Sequence, residues 1–170
     1  WWCRSCCLGL TALGLLACPG GAQVQEPLLW PLELQPALSS TFGETRATAF
    51  HAGIDLKTWG KTGYEVRAVA DGWIQRVRTS PWGYGRALYQ QLADGRIAVY
   101  AHLQDFFPPV AERVQLAQRA ARRYSVQLWP KQDDIPVRRG QVIAHTGQSG
   151  AGPPHLHLEI RDASNVPLNP

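Results

Sequence analysis

In His155-Leu-His-Leu-Glu-Ile160 every second side chain is apolar, a period of two that suits an extended strand and no helix. Leu156, Leu158 and Ile160 are then expected to enter a core, leaving His155, His157 and Glu159 as an exposed row on the other face. Arg96-Ile-Ala-Val-Tyr-Ala-His-Leu103 alternates as well. Ile97, Val99, Ala101 and Leu103 share one side, expected to be the core; Arg96, Ala98, Tyr100 and His102 share the other, expected to present His102. From Leu38 onward the turn pairs Asp71-Gly72, Asp94-Gly95, Arg139-Gly140 and Ser149-Gly150 separate short β-prone stretches, which predicts antiparallel sheets. One stretch departs from this rhythm. Between Pro109 and Tyr124, Val110, Val114, Ala117 and Ala121 recur at helical spacing, with Arg113, Arg119, Arg122 and Arg123 on a polar, solvated face. No internal repeat or low-complexity tract is present, and 170 residues with 45% hydrophobic content suit a single globular domain.

All four cysteines fall between Cys3 and Cys18, so the later chain can form no internal disulfide or thiolate metal site. A metal there must be held by histidine and carboxylate. Cys6 to Ala17 is an apolar run behind Arg4, followed by Pro19-Gly20-Gly21, and it falls short of the roughly twenty residues that cross a bilayer. Residues 1–18 therefore read as an export segment, which predicts a periplasmic or cell-envelope location. Leu15-Leu16-Ala17-Cys18 resembles a lipobox, with Cys18 as the lipid anchor, and Gly20-Gly21-Ala22 offers an alternative cleavage site. Cys3, Cys6 and Cys7 imitate ligand spacing but have no second ligand group nearby. Pro19, Pro27, Pro31 and Pro36 predict an extended tether over 19–37, with the folded domain over 38–170. The missing methionine and the stop at Asn169-Pro170 leave both ends open to further residues. A net charge of +4, dispersed along the chain, suits an anionic surface weakly and gives no reason to expect a nucleic-acid partner.

Four of the five histidines lie in three short patterns: His51-Ala-Gly-Ile-Asp55, Tyr100-Ala-His102-Leu103 and His155-Leu-His157. Residues i and i+2 of a strand stand on one face about 6.6 Å apart, so one imidazole can bind an ion while its neighbour meets a substrate. Asp55 reaches the same point if Gly53 bends the chain. Two neutral imidazoles and one carboxylate with a vacant fourth position form a catalytic zinc shell, whereas a structural site closes all four positions with protein. A histidine alone on a strand is more often a surface or packing residue, so the weight lies in the combination. His145, before Thr146-Gly147 and without an evident partner, takes that plain reading. Asp71, Asp94 and Asp162 read as turn or surface carboxylates, and Glu159 as an acceptor steadying a neighbouring imidazole.

Beyond these residues, Ser39-Ser-Thr-Phe-Gly-Glu-Thr-Arg46 is similar to an S-x-F-G-x-R motif and Phe50-His-Ala-Gly-Ile-Asp-Leu56 to an HxGxD motif. Val66-Arg-Ala-Val-Ala-Asp-Gly-Trp-Ile74, Gly83-Tyr-Gly85, Tyr100-Ala-His-Leu103, Gly147-Gln-Ser-Gly150 and His155-Leu-His-Leu-Glu-Ile-Arg161 follow in order. From about Leu38 to its end the chain thus resembles the lysostaphin-like (LytM-type) zinc endopeptidases of bacterial peptidoglycan. The resemblance implies a mainly β fold, with antiparallel sheets in a hybrid barrel-sandwich (a duplicated hybrid motif), into which the Pro109–Pro130 stretch with its surface helix is expected to be inserted. It implies one zinc ion on His51, Asp55 and His157, with His102 and His155 unbound and facing a peptidoglycan peptide. No HExxH glutamate is present, so the two free imidazoles would supply the proton chemistry: His155 taking the proton from water, His102 hydrogen-bonding the tetrahedral intermediate, with the roles exchangeable. Arg86 after Tyr84-Gly85, the Ala151-Gly152-Pro153-Pro154 approach and the insertion depart from the family pattern and bear on groove shape and substrate choice. A catalytically silent relative that binds wall and activates another hydrolase should lack a ligand, and all five positions are kept. A biotinyl or lipoyl carrier, suggested by Val66–Ile74 and Pro136–Ile143, needs a lysine at a hairpin tip, where none of Lys57, Lys61 and Lys131 sits.

Overall fold

A computed structural model describes residues 27–47, 49–150 and 152–170. The export segment, Cys18 and the start of the tether lie outside the described residues. Eleven strands and one helix follow in order: β1 (Leu38–Ser40), β2 (Ile54–Lys57), β3 (Glu65–Arg67), β4 (Gly72–Thr79), β5 (Ala87–Leu92), β6 (Ile97–Ala101), α1 (Pro108–Ala121), β7 (Val126–Leu128), β8 (Pro136–Val137), β9 (Val142–His145), β10 (His155–Arg161) and β11 (Pro167–Leu168). The fold is mainly β, and every strand pairing is antiparallel. The larger sheet runs open from β1 to β7 in the order β1-β2-β10-β6-β5-β4-β7, with β11 beside β10 and β8 beside β4; β3 and β9 form a second, two-stranded sheet. Among the described residues no helix is long and apolar enough to cross a membrane.

The main core joins Leu56 of β2, Leu156, Leu158 and Ile160 of β10, Ala98 and Tyr100 of β6, and Val66, Ile143 and Ala144 of the small sheet. Within it Tyr100 keeps its hydroxyl satisfied, donating to Gln90 Oε1 at 2.7 Å and accepting from the Val69 N–H at 2.9 Å. The alternation of β10 therefore holds on its apolar side. Its other side is not exposed: His157 and Glu159 are 4% and 0% accessible. The reading of β6 also needs correcting, because both of its faces are buried. Ala98 and Tyr100 point into the main core, while Ile97, Val99 and Ala101 pack with Ala87, Tyr89 and Tyr84 on the opposite face. As an interior strand between β10 and β5, β6 meets neighbours above and below.

The helix spans Pro108–Ala121 rather than running to Tyr124, and ends where Arg122 turns left-handed at φ 50°, its N–H reaching the Arg119 and Gln118 carbonyls. Val110 and Val114 are buried, Ala117 lies against the core and Ala121 is exposed. Residues 27–37 form no helix or strand, yet Leu32 is buried and Leu28, Trp30 and Leu34 pack against the core. The backbone is pinned as well, through Leu29 N–H to the Val69 carbonyl at 2.8 Å and Arg67 N–H to the Pro31 carbonyl at 2.9 Å. Leu32→Ala should accordingly lower unfolding free energy by about 2 kcal/mol or more in a denaturant titration, whereas a tether residue would show no change.

Candidate metal centre

Strands β2 and β10 are neighbours, and their register places Asp55 directly opposite His157. Opposed residues share a sheet face with their Cβ atoms about 4.5–5.5 Å apart, so a carboxylate and an imidazole meet there without any special loop. His51 arrives from the segment just before β2. The chain bends at Gly53, as expected, and it also makes a close approach there: a Cβ would collide with the Leu158 carbonyl and come within 2.8 Å of Glu159 Cγ. The His51 Nε2 atom lies 3.1 Å from Asp55 Oδ1 and 3.0 Å from His157 Nδ1, and His157 Nδ1 lies 2.8 Å from Asp55 Oδ1. All three side chains are buried.

The outward nitrogens decide what these inward atoms offer. His51 Nδ1 faces the Thr41 carbonyl at 2.7 Å, and a carbonyl only accepts, so that nitrogen carries the hydrogen. By the same reasoning His157 donates from Nε2 to Glu159 Oε1 at 2.8 Å. Both neutral rings then turn a bare lone pair toward Asp55 Oδ1, and three acceptors converge with no hydrogen between them. A tetrahedral ion with bonds of about 2.0–2.1 Å would have ligand atoms roughly 3.3 Å apart, close to the distances found. Two nitrogens and one carboxylate oxygen thus fit a divalent metal. Burial alone would raise the Asp55 pKa and lower that of His157. The surrounding imidazoles instead hold Asp55 well below the usual carboxylate range, and Asp55 with Glu159 holds His157 above the ordinary imidazole value.

A second layer of side chains fixes the ligands. Arg46 donates to Asp55 Oδ2 at 3.0 Å and to Ser40 Oγ at 2.6 Å, which leaves Oδ1 to face the histidines. Glu159, fully buried, takes Arg161 Nε at 2.6 Å on Oε2 and the Tyr84 hydroxyl on Oε1, and Tyr84 stacks on His157 with ring centroids 5.4 Å apart. Burial would raise the Glu159 pKa, but His157, Tyr84 and Arg161 bring it below the ordinary value. The supporting part foreseen for Glu159 is therefore found. The parts played by Arg46, Tyr84 and Arg161 were not, although the Glu159-Ile-Arg161 spacing already put an opposite charge on the same strand face.

His155 and His102 stand beside this cluster with ring centroids 4.5 Å apart. His155 begins β10, donates from Nδ1 to the Pro153 carbonyl at 2.7 Å and holds Nε2 3.6 Å from Asp55 Oδ1. His102 is the first residue past β6. Strict alternation would send it to the face of Tyr100, into the main core, but a left-handed φ of 61° turns it to the other side. Its Nδ1 donates to the Ser149 carbonyl at 2.9 Å, and Ser149 is held in turn by its hydroxyl on the Leu103 carbonyl at 2.8 Å. Both rings thus keep Nε2 as a lone pair. Burial pushes the His102 pKa down to about 4, against the opposing bond to Ser149. The five residues line one open cavity of about 870 Å³, with Phe50, Lys57, Trp59 and Tyr84 on its walls. His145 lies apart from it and has a partner after all, Asp105 at 2.8 Å. Asp71, Asp94 and Asp162 bond turn backbone at Arg139, Arg96 and Ser164.

No protein-family model and no curated protein matches the chain. Solved structures do. A mutant catalytic domain of the prophage-encoded M23 protein EnpA from Enterococcus faecalis aligns with a TM-score of 0.55 at 24% identity, over 79% of this chain and 88% of that one. The catalytic domain of the antimicrobial peptidase lysostaphin from Staphylococcus simulans gives 0.57 at 21% identity, over 79% and 89%. A chain of the SpoIIQ–SpoIIIAH pore-forming complex gives 0.59 at 22%, over 85% and 88%. The chain therefore has the LytM-type fold of M23 peptidases, a fold also present in a pore-forming assembly.

Two outcomes follow from the site. Glu159→Gln keeps the shape but weakens the acceptor behind His157, and should cut metal affinity about 10–100-fold in a competition titration. In an NMR titration of metal-free protein, His102 should stay neutral until about pH 4. An unfolded chain takes that proton near ~6.5, so His102 withdraws stability as pH falls between those values. Titration of His102 near ~6.5 in the folded protein would show that its burial is not felt.

Proposed function

We propose that the protein is a zinc-dependent endopeptidase that hydrolyses peptide stems or cross-links of bacterial peptidoglycan. The observation that carries this reading is the convergence of three buried acceptors, His51 Nε2, Asp55 Oδ1 and His157 Nδ1, beside two unengaged imidazole nitrogens in an open groove. Held by those three residues, zinc would polarise the scissile carbonyl and bring the pKa of water toward about 7. His155 is the base in this scheme, because its Nε2 lone pair adjoins the ligands. It takes the proton of the attacking water and returns it to the leaving amine. For His102, given above either as anion stabiliser or as base, the neutral ring with its Nδ1 hydrogen on Ser149 supports a third part, accepting at Nε2 and so orienting the attacking water.

The function calls for export, and the apolar run before Pro19 supports it, with Cys18 as an anchor if the lipobox is used. The other reading is a wall-binding relative without activity that switches on another hydrolase; the neighbour from a pore-forming complex has the same fold in a protein whose name is not that of a peptidase. The retained ligands and both imidazoles speak for the enzyme. Metal analysis together with muropeptide release should find about one zinc per chain and cleavage that His157→Ala abolishes. In His155→Ala, zinc should remain while turnover falls about 10²–10⁴-fold. A His157→Ala protein that cleaves at the original rate would refute the metal assignment.

A further inference from the structure

Lys57 closes β2 two positions beyond Asp55, on the same sheet face and directly across from His155 in the β2–β10 register. The chain then makes a tight turn, closed by the Lys61 N–H on the Thr58 carbonyl at 3.0 Å. Trp59 and Gly60 occupy its two central positions with φ of 54° and 76°. Asn-Gly adopts that left-handed pair readily, whereas a bulky side chain at the first position is strained. Burial does not offset the strain, since Trp59 is 61% exposed. Nor is the turn loose: Thr58 is fully buried and its hydroxyl donates to the Pro154 carbonyl at 3.0 Å, fastening the turn to the approach to His155.

The Lys57 ammonium lies 5.7 Å from the Trp59 ring centroid, and among the described residues no carboxylate pairs with it. Arg46, the other cation of this cavity, is already engaged by Asp55 and Glu44. The groove thus presents an unpaired positive charge and a strained, wet aromatic ring side by side on a rigid wall. Folding gains little from either, but a ligand would gain from both.

The geometry points to Lys57 and Trp59 as a substrate subsite for a carboxylate-bearing peptide, Lys57 pairing with the carboxylate and Trp59 covering the aliphatic chain beside it. This rests on the peptidase reading and narrows it. Two strand positions separate Lys57 from Asp55, about 6.6 Å, so the carboxylate falls about two extended residues from a carbonyl held at the His51, Asp55 and His157 cluster. A stem whose diamino acid keeps a free carboxylate meets that requirement, and a glycine bridge, with no charged side chain, does not.

The test uses two cross-linked stem peptides that differ only in a free carboxylate or its carboxamide, with the zinc-loaded chain, the Lys57→Gln and Trp59→Asn variants and parallel equilibrium titrations. The wild type should favour the acid peptide about tenfold through KM. Lys57→Gln should erase that preference by raising KM for the acid peptide alone, with kcat unchanged. Trp59→Asn should weaken both peptides about fivefold, while its Tm stays level or rises because Asn suits the turn. Lys57→Gln acting equally on both peptides, or Trp59→Asn leaving their binding intact, would overturn the subsite. So would binding of peptide-free glycan strands that Trp59→Asn abolishes, which would assign the ring to sugar. If the wild type cleaves neither peptide, the peptidase reading fails, and the titrations still decide whether this wall selects the carboxylate.

Discussion

Everything at the candidate metal centre depends on the pairing of β2 with β10. Because side chains alternate along a strand, the register that sets Asp55 against His157 also sets Leu56 against Leu156 on the opposite face. A slip of one residue would drive the carboxylate and the imidazole into the core and bring both leucines out to the groove. Core and chemistry are therefore specified by one set of backbone hydrogen bonds, and neither can be kept while the other is lost. Gly53 belongs to the same constraint, since only a residue without a side chain lets the His51 segment lie on the backbone at Leu158.

That arrangement places two carboxylates among buried imidazoles, which would be costly for either one alone. Each is compensated from outside the cluster, Asp55 by Arg46 and Glu159 by Arg161. These two arginines come from opposite ends of the domain and leave the centre of the cluster free of positive side chains. Their bonds fix which oxygen faces inward, so charge balance and ligand orientation are settled together.

Much of this could be read in the residues. β10 was legible because its two faces differ in character over six positions, and the resemblance carried by HxGxD and HxH marked His51, Asp55 and His157, which the structure brings together. The exposure of those faces was not legible, since it depends on Tyr84, Arg161 and His51, which are remote in sequence from some of the groups they cover. β6 misled because both of its sides are small or apolar, so alternation there could not distinguish core from groove. His102 reaches the groove through a left-handed backbone, a choice its sequence neighbours do not announce. The packing of Leu28, Trp30, Leu32 and Leu34 was not legible, because Pro27, Pro31 and Pro36 in the same stretch argued for an extended tether. The segment packs its side chains on the core and shares two backbone hydrogen bonds with the chain around β3.

The helical segment has a use beyond adding a helix. The chain leaving it supplies β7 and then β8, which pair with the two ends of β4, while the Ile74 N–H between them reaches the Ile135 carbonyl. The outer border of the large sheet is thereby capped along β4. Trimming this stretch would yield a sheet with a bare row of amide donors and acceptors, prone to recruit strands from other molecules and to precipitate.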